Sequence, residues 1–218
     1  MQSKEQFNGE ISFTYKYLLH LPPSYDADTG SEFALVLYLH GAGERGEDLR
    51  LLRRHGPPKF LDEQDDFPAI VVSPQCPEGE WWDTLKLKTL LDGILATKRV
   101  DRSRVYVTGN SMGGYGTWEM GQKFPDMFAA LAPICGGGNP FRNSRHLRKM
   151  PIWVFHGMKD SIVPFEESLT LVRALERTGA NIKFTVYPEA EHDSWTETYE
   201  NPEFWAWLLA QKRPVDSD

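Results

Sequence analysis

The 218 residues carry a formal charge of −7, with 40% hydrophobic and 25% charged side chains. That profile fits a single globular domain over residues 1–218 with no basic footprint for nucleic acid or an anionic membrane. No run of about 18 apolar residues occurs, so no membrane-spanning helix is expected.

The N-terminal stretch MQSKEQFNGEISF lacks the apolar core of a secretory signal. A cytoplasmic location follows as the expectation, or a secreted one if a leader has been removed. The two cysteines, Cys76 and Cys135, are too few for a disulfide scaffold and suit a reducing compartment.

Residues 11–21 alternate in polarity and predict an early antiparallel strand. The continuous apolar runs ALVLYLH (34–40), AIVVS (69–73), VYVTG (105–109), LAPIC (131–135) and IWVFH (152–156) predict central strands, with IKFTVYP (182–188) as one more. Between them, 82–98, 113–124 and 164–178 have helical spacing, and Pro202 opens a last helix over 202–212. Alternating strands and helices define an α/β fold, a mostly parallel, doubly wound sheet flanked by helices. Ligands bind such sheets at the carboxyl ends of the strands. The candidate functional residues should follow the apolar runs directly, and they do.

After ALVLYLH comes HGAGERG (40–46), a Gly-rich turn suited to presenting backbone N–H groups to an oxyanion; Ala42 or Gly43 is the expected donor. After AIVVS comes Trp81-Trp82, which reads either as an apolar wall for a substrate or as plain packing. After VYVTG comes Gly109-Asn110-Ser111-Met112-Gly113, a G-x-S-x-G pattern between strand and helix. Such a turn lifts the serine hydroxyl clear of the sheet and needs small flanking residues. Ser111 is the candidate nucleophile, and the Met112 amide the candidate second oxyanion donor. The connection 136–150 carries Arg142, Arg145, His146, Arg148 and Lys149, read as a solvated face or, less simply, a site for acidic substrates.

IWVFH runs into Gly-Met-Lys-Asp160, placing a carboxylate at a strand's carboxyl end, and IKFTVYP runs into Glu-Ala-Glu-His192, placing an imidazole after the next strand. The order Ser, Asp, His is that of α/β-hydrolase triads. His192 would take the serine proton while Asp160 orients its ring. His156 precedes the acid and reads as a buried structural histidine. Glu166 falls within a helix, and Glu189 and Glu191 lie too near His192 to replace Asp160. Trp195, three residues beyond His192, joins the wall-or-packing candidates. No H-E-x-x-H and no Cys/His cluster with ligand spacing occurs, so no metal is expected.

HGAGERG, GNSMGGYGTW (109–118), HGMKDSIVP (156–164) and HDSW (192–195) resemble the α/β-hydrolase carboxylesterases, in particular the phospholipase/carboxylesterase, polyhydroxybutyrate-depolymerase-like and feruloyl-esterase-like group. The resemblance extends from about residue 10 to 212. It implies cofactor-free hydrolysis of a small-molecule ester through an acyl-enzyme, carried by Ser111, Asp160 and His192. Oligomeric state is not legible. The related dienelactone hydrolases use a cysteine nucleophile where this chain has Ser111, so their activity is not expected. The 136–150 connection is too short for a lipase-type lid, which implies small esters with acyl chains of roughly two to six carbons. A peptidase or amidase with the same triad and a non-catalytic binding module are the rival readings. The resemblance also implies the strand order AIVVS, ALVLYLH, VYVTG, LAPIC. Three steps of about 4.8 Å would part the cysteine-bearing strands by roughly 14 Å, beyond the roughly 7 Å a disulfide tolerates, so Cys76 and Cys135 are expected as free thiols.

Overall fold

The computed structural model describes residues 12–62, 66–140 and 147–213. Its strands are β1 (Tyr17–His20), β2 (Phe33–Leu39), β3 (Ile70–Pro74), β4 (Val100–Asn110), β5 (Ala130–Ile134), β6 (Ile152–Gly157) and β7 (Ile182–Tyr187). Its α-helices are α1 (Pro57–Phe60), α2 (Thr84–Thr97), α3 (Met112–Lys123), α4 (Phe165–Glu176), α5 (Trp195–Glu200) and α6 (Pro202–Ala210). The strands form one sheet in the order β1-β3-β2-β4-β5-β6-β7, with β1 antiparallel to β3 and every other pairing parallel.

The apolar runs are continuous because both faces of the sheet are covered. In β2, Leu35, Leu37 and Leu39 join one core cluster with Leu87 and Leu91 of α2, Trp118 of α3 and Leu171 of α4. Val36 and Tyr38, pointing the other way, join a second cluster with Phe155 and with Phe204 and Leu208 of α6. With period-2 side chains and two buried faces, every position of β2 is buried, which favours an apolar residue at each.

Local signals set the helix ends, with α2 starting at Thr84, two residues inside the expected span. Asp83 caps α2, its carboxylate accepting from the amides of Leu85 and Lys86 at 2.8 and 3.1 Å. Asn201 caps α6, with Pro202 in its first turn. Pro164 stands just before α4 instead of inside it, and Gly179, at φ 73°, turns the chain beyond the helix end. The short helices α1 and α5 were not foreseen; at four and six residues they show no periodicity. The predicted order of the four central strands is the observed one, and Cys76 and Cys135 are both free and buried. Among the described residues no helix is long and apolar enough to cross a membrane. The register pairs Leu39 with Gly109, Asn110 with Ile134 and Gly157 with Tyr187, so the loops that follow these strands emerge along one edge of the sheet.

Candidate active site

The turn between β4 and α3 is tight. Ser111 has φ 56° and ψ −118°, a conformation rare for a residue with a side chain and costing on the order of 1–3 kcal/mol. The surroundings hold it there. The Ser111 amide donates to the Ile134 carbonyl at 3.0 Å, and the Tyr38 hydroxyl donates to Asn110 Oδ1 at 2.8 Å. A Cβ on Gly113 would collide with the Leu39 carbonyl oxygen, and one on Gly114 with that of Ile134, so only glycine lets α3 approach β2 and β5 this closely.

His192 Nε2 stands 2.9 Å from Ser111 Oγ, and its Nδ1 2.7 Å from Asp160 Oδ2. The carboxylate accepts at Nδ1, which puts the ring proton there and leaves the Nε2 lone pair facing the serine hydroxyl. Asp160 is buried, and its Oδ1 takes the amides of Ile162 and Val163, each at 2.9 Å. The acid and base loops are sewn together by main chain. The amides of Met158 and Lys159 donate to the carbonyls of Tyr187 and Ala190 at 2.9 and 3.0 Å, and a Cβ on Gly157 would strike those of Ala190 and Glu191. Glu166 and Glu191 are exposed, and Glu189 pairs with Lys159.

The Gly-rich loop comes alongside. A Cβ on Gly41 would lie 3.6 Å from that of Ser111, and Ala42–Glu44 form a single 3₁₀ turn. The first amides of such a turn have no partner within it. The same holds for Met112, the first residue of α3. The amides of Ala42 and Gly43, which follow Gly41, and of Met112, which follows Ser111, are therefore the candidate donors.

His40, the last residue of the run ALVLYLH, latches this loop. Its Nε2 accepts the Cys76 amide at 2.9 Å, so its proton sits on Nδ1 and is donated to the Gly41 carbonyl at 2.5 Å. Burial pushes His40 down to about 4 from an ordinary 6.5. Between these two values the unfolded chain takes up the proton and the folded chain does not. Stability from the neutral ring is complete above pH 6.5 and is lost as pH falls toward 4, by about 3 kcal/mol. Glu44, whose carboxyl burial raises, works in the opposite sense. Unfolding of the wild type and of His40→Asn at pH 7 and pH 4 should show the smaller acid loss in the variant, whereas equal losses would remove His40 from the account.

Trp82 is not a wall of the site. It is 3% exposed, its indole donates to the His40 carbonyl at 3.2 Å and its ring meets His40 at 4.8 Å, so it supports the Gly-rich loop from behind. Trp81 is 52% exposed, with its ring 5.9 Å from Tyr115, one helical turn beyond Ser111. Trp195 stands between His192 and His55, at 5.2 and 5.3 Å. His55 and the buried Glu44 beside it, 3.8 Å apart, were missed because both sit in polar sequence. Arg148 and Lys149 are exposed, as a solvated face should be; Arg142, Arg145 and His146 lie outside the described residues. Among the described residues, the side chains close enough to hold a cation are Cys135, Asp160 and His192, within 4.8 Å of one another, and both His192 nitrogens are already engaged.

A doubly wound sheet with a serine on a strained strand-to-helix turn, a histidine and a buried carboxylate at its carboxyl edge defines an α/β-hydrolase. Residues 80–203 match the dienelactone hydrolase family, and the chain belongs to it. It is 35% identical to a thermostable esterase of known structure, at a TM-score of 0.79 over 90% of this chain and 59% of that one. It is also 33% identical over 140 residues to a bifunctional acetylxylan esterase/xylanase of Neocallimastix patriciarum, covering 61% of this chain and 20% of that protein. Over 55 residues it is 46% identical to poly(3-hydroxyalkanoate) depolymerase C of Paucimonas lemoignei, covering 25% of this chain and 13% of that protein. The chain thus spans a minor part of these two relatives.

Proposed function

We propose that the protein is a cofactor-free serine carboxylesterase acting on small, short-acyl esters. The observation that carries this is the bridge made by His192 between Ser111 Oγ and the buried Asp160. Ser111 Oγ attacks the ester carbonyl as its proton passes to His192 Nε2, and Asp160 stabilises the imidazolium. The amides of Met112 and of Ala42 or Gly43 take the charge on the tetrahedral oxygen. His192 then protonates the leaving alcohol, and water, activated by the same nitrogen, releases the acid from the acyl-enzyme. Trp195, which meets His192, and Trp81, which meets Tyr115 one turn beyond the serine, offer apolar surface for the ester. The names of the esterase relatives support ester over amide cleavage. Serine at the elbow, where dienelactone hydrolases carry cysteine, favours ordinary esters over dienelactones. Two buried free thiols suit a reducing, cytoplasmic compartment.

The short connection between β5 and β6 supports the size preference. It begins at Gly136, whose Cα is pressed against Gly114 so closely that neither could carry a Cβ, and it has little length left to cover the site. A panel of p-nitrophenyl esters, an amide analogue and an emulsified long-chain triglyceride tests the proposal. The highest kcat/KM is expected on acyl chains of roughly two to six carbons. A faster rate on the emulsion would overturn the preference, and a faster rate on the amide would overturn the ester reading.

A further inference from the structure

Asp160 is held by more than the triad histidine. Its side chain has 0% exposure, and a buried carboxylate is stable only when donors surround it. Two amides satisfy Oδ1. Oδ2 receives His192 Nδ1 at 2.7 Å and lies 3.3 Å from Nε2 of His156, which is itself fully buried. That same Nε2 is 2.9 Å from the Val163 carbonyl. Both neighbours of Nε2 are acceptors, so Nε2 carries the ring proton, which it donates to the nearer Val163 carbonyl while its positive end also faces Asp160 Oδ2.

The other side of the ring is anchored. Nδ1 is 2.7 Å from Ser168 Oγ on α4, and that hydroxyl is 2.9 Å from the Gly136 carbonyl beyond β5. Phe165 meets the ring edge-on at 5.8 Å. The ring is therefore fixed on both sides, and its N–H, bonded to the Val163 carbonyl, also lies beside the oxygen that His192 uses.

We propose that His156 is a positioning residue for the triad: its Nε2–H, held by the Val163 carbonyl, sets a fixed positive dipole against Asp160 Oδ2 and keeps that oxygen aimed at His192. This rests on the Ser111–His192–Asp160 reading. Without that donor the outer edge of the carboxylate is pinned by His192 alone, and His192 is in turn pinned by the carboxylate. Small displacements there reach the reacting oxygen, while substrate binding is untouched. A purely structural His156 would lower stability and leave turnover of the folded enzyme unchanged.

Two amide side chains separate the roles. Asparagine reaches about as far as Nδ1, keeping the Ser168 contact and losing the N–H that faces Val163 and Asp160; glutamine reaches about as far as Nε2 and keeps it. At a temperature where circular dichroism shows both variants folded, kcat should fall about 10- to 100-fold in His156→Asn and stay within about threefold of wild type in His156→Gln, with KM unchanged in both. Wild-type kcat in folded His156→Asn, or equal losses in the two variants, would overturn the proposal. If His156→Asn does not fold, Ser168→Ala releases the ring's anchor at small cost in volume; a kcat loss of about threefold or more supports the proposal and an unchanged kcat overturns it. Ser111→Ala assayed alongside keeps the failures distinct, because activity surviving there removes the triad reading itself.

Discussion

Ser111→Ala folds like the wild type and loses ester turnover by about 10⁴-fold or more. The substitution removes one oxygen from a position whose backbone is set by its surroundings. The Ser111 amide bond to Ile134 and the glycines at 109, 113 and 114 are all retained, and alanine has the same backbone demands as serine at φ 56°. Only the nucleophile is lost. Residual rate over water would come from the oxyanion amides and substrate binding, which the variant keeps. Steady-state kinetics with circular dichroism, and a fluorophosphonate that labels the wild type and not the variant, check this. Near wild-type turnover in the variant would end the serine-esterase reading.

Gly113→Ala is expected to be the most damaging single-methyl change in the elbow. Its Cβ would fall on the Leu39 carbonyl oxygen, with the His40 carbonyl 2.8 Å away. Neither can yield. Leu39 is paired with Gly109 across β2 and β4, and His40 is tied to Cys76 and Trp82. Relief requires lifting α3 from the sheet, which uncovers the core under Trp118 and unseats Ser111. A loss of at least about 4 kcal/mol follows, in the range reserved for severe steric conflict. Gly43→Ala is the control: nothing lies within 4 Å of its Cβ position and its φ is not positive, so stability should stay within about 0.5 kcal/mol. Urea midpoints for the two variants test the contrast, and a stable Gly113→Ala would show that the elbow is looser than its geometry implies.

The fold was legible in the sequence wherever a local rule had one outcome. Strands buried on both faces are mostly apolar, so ALVLYLH and IWVFH announce themselves without alignment. The elbow is equally local, because strand, turn and helix are contiguous and its glycines answer to the neighbours they touch. Asp160 and His192 could be named because each closes its own strand and chain order limits the choice. Trp195 lies three residues from His192 and inherits its place.

Residues whose partners lie far along the chain were not legible. His40 meets the Cys76 amide across 36 positions and Trp82 across 42, and nothing around Trp82 distinguishes a buried brace from an exposed wall. His156 looked like a structural histidine because its bond to Ser168 and its approach to Asp160 exist only once β6 and α4 are packed. Glu44 is charged in a polar stretch, and only the convergence of two loops buries it. By itself the sequence determined which segments are strands and helices and which residue types stand at the carboxyl edge, since periodicity and steric demand act between near neighbours. The tertiary structure decided which polar groups meet and which are cut off from water, because hydrogen-bond geometry and desolvation depend on distances that no spacing along the chain encodes.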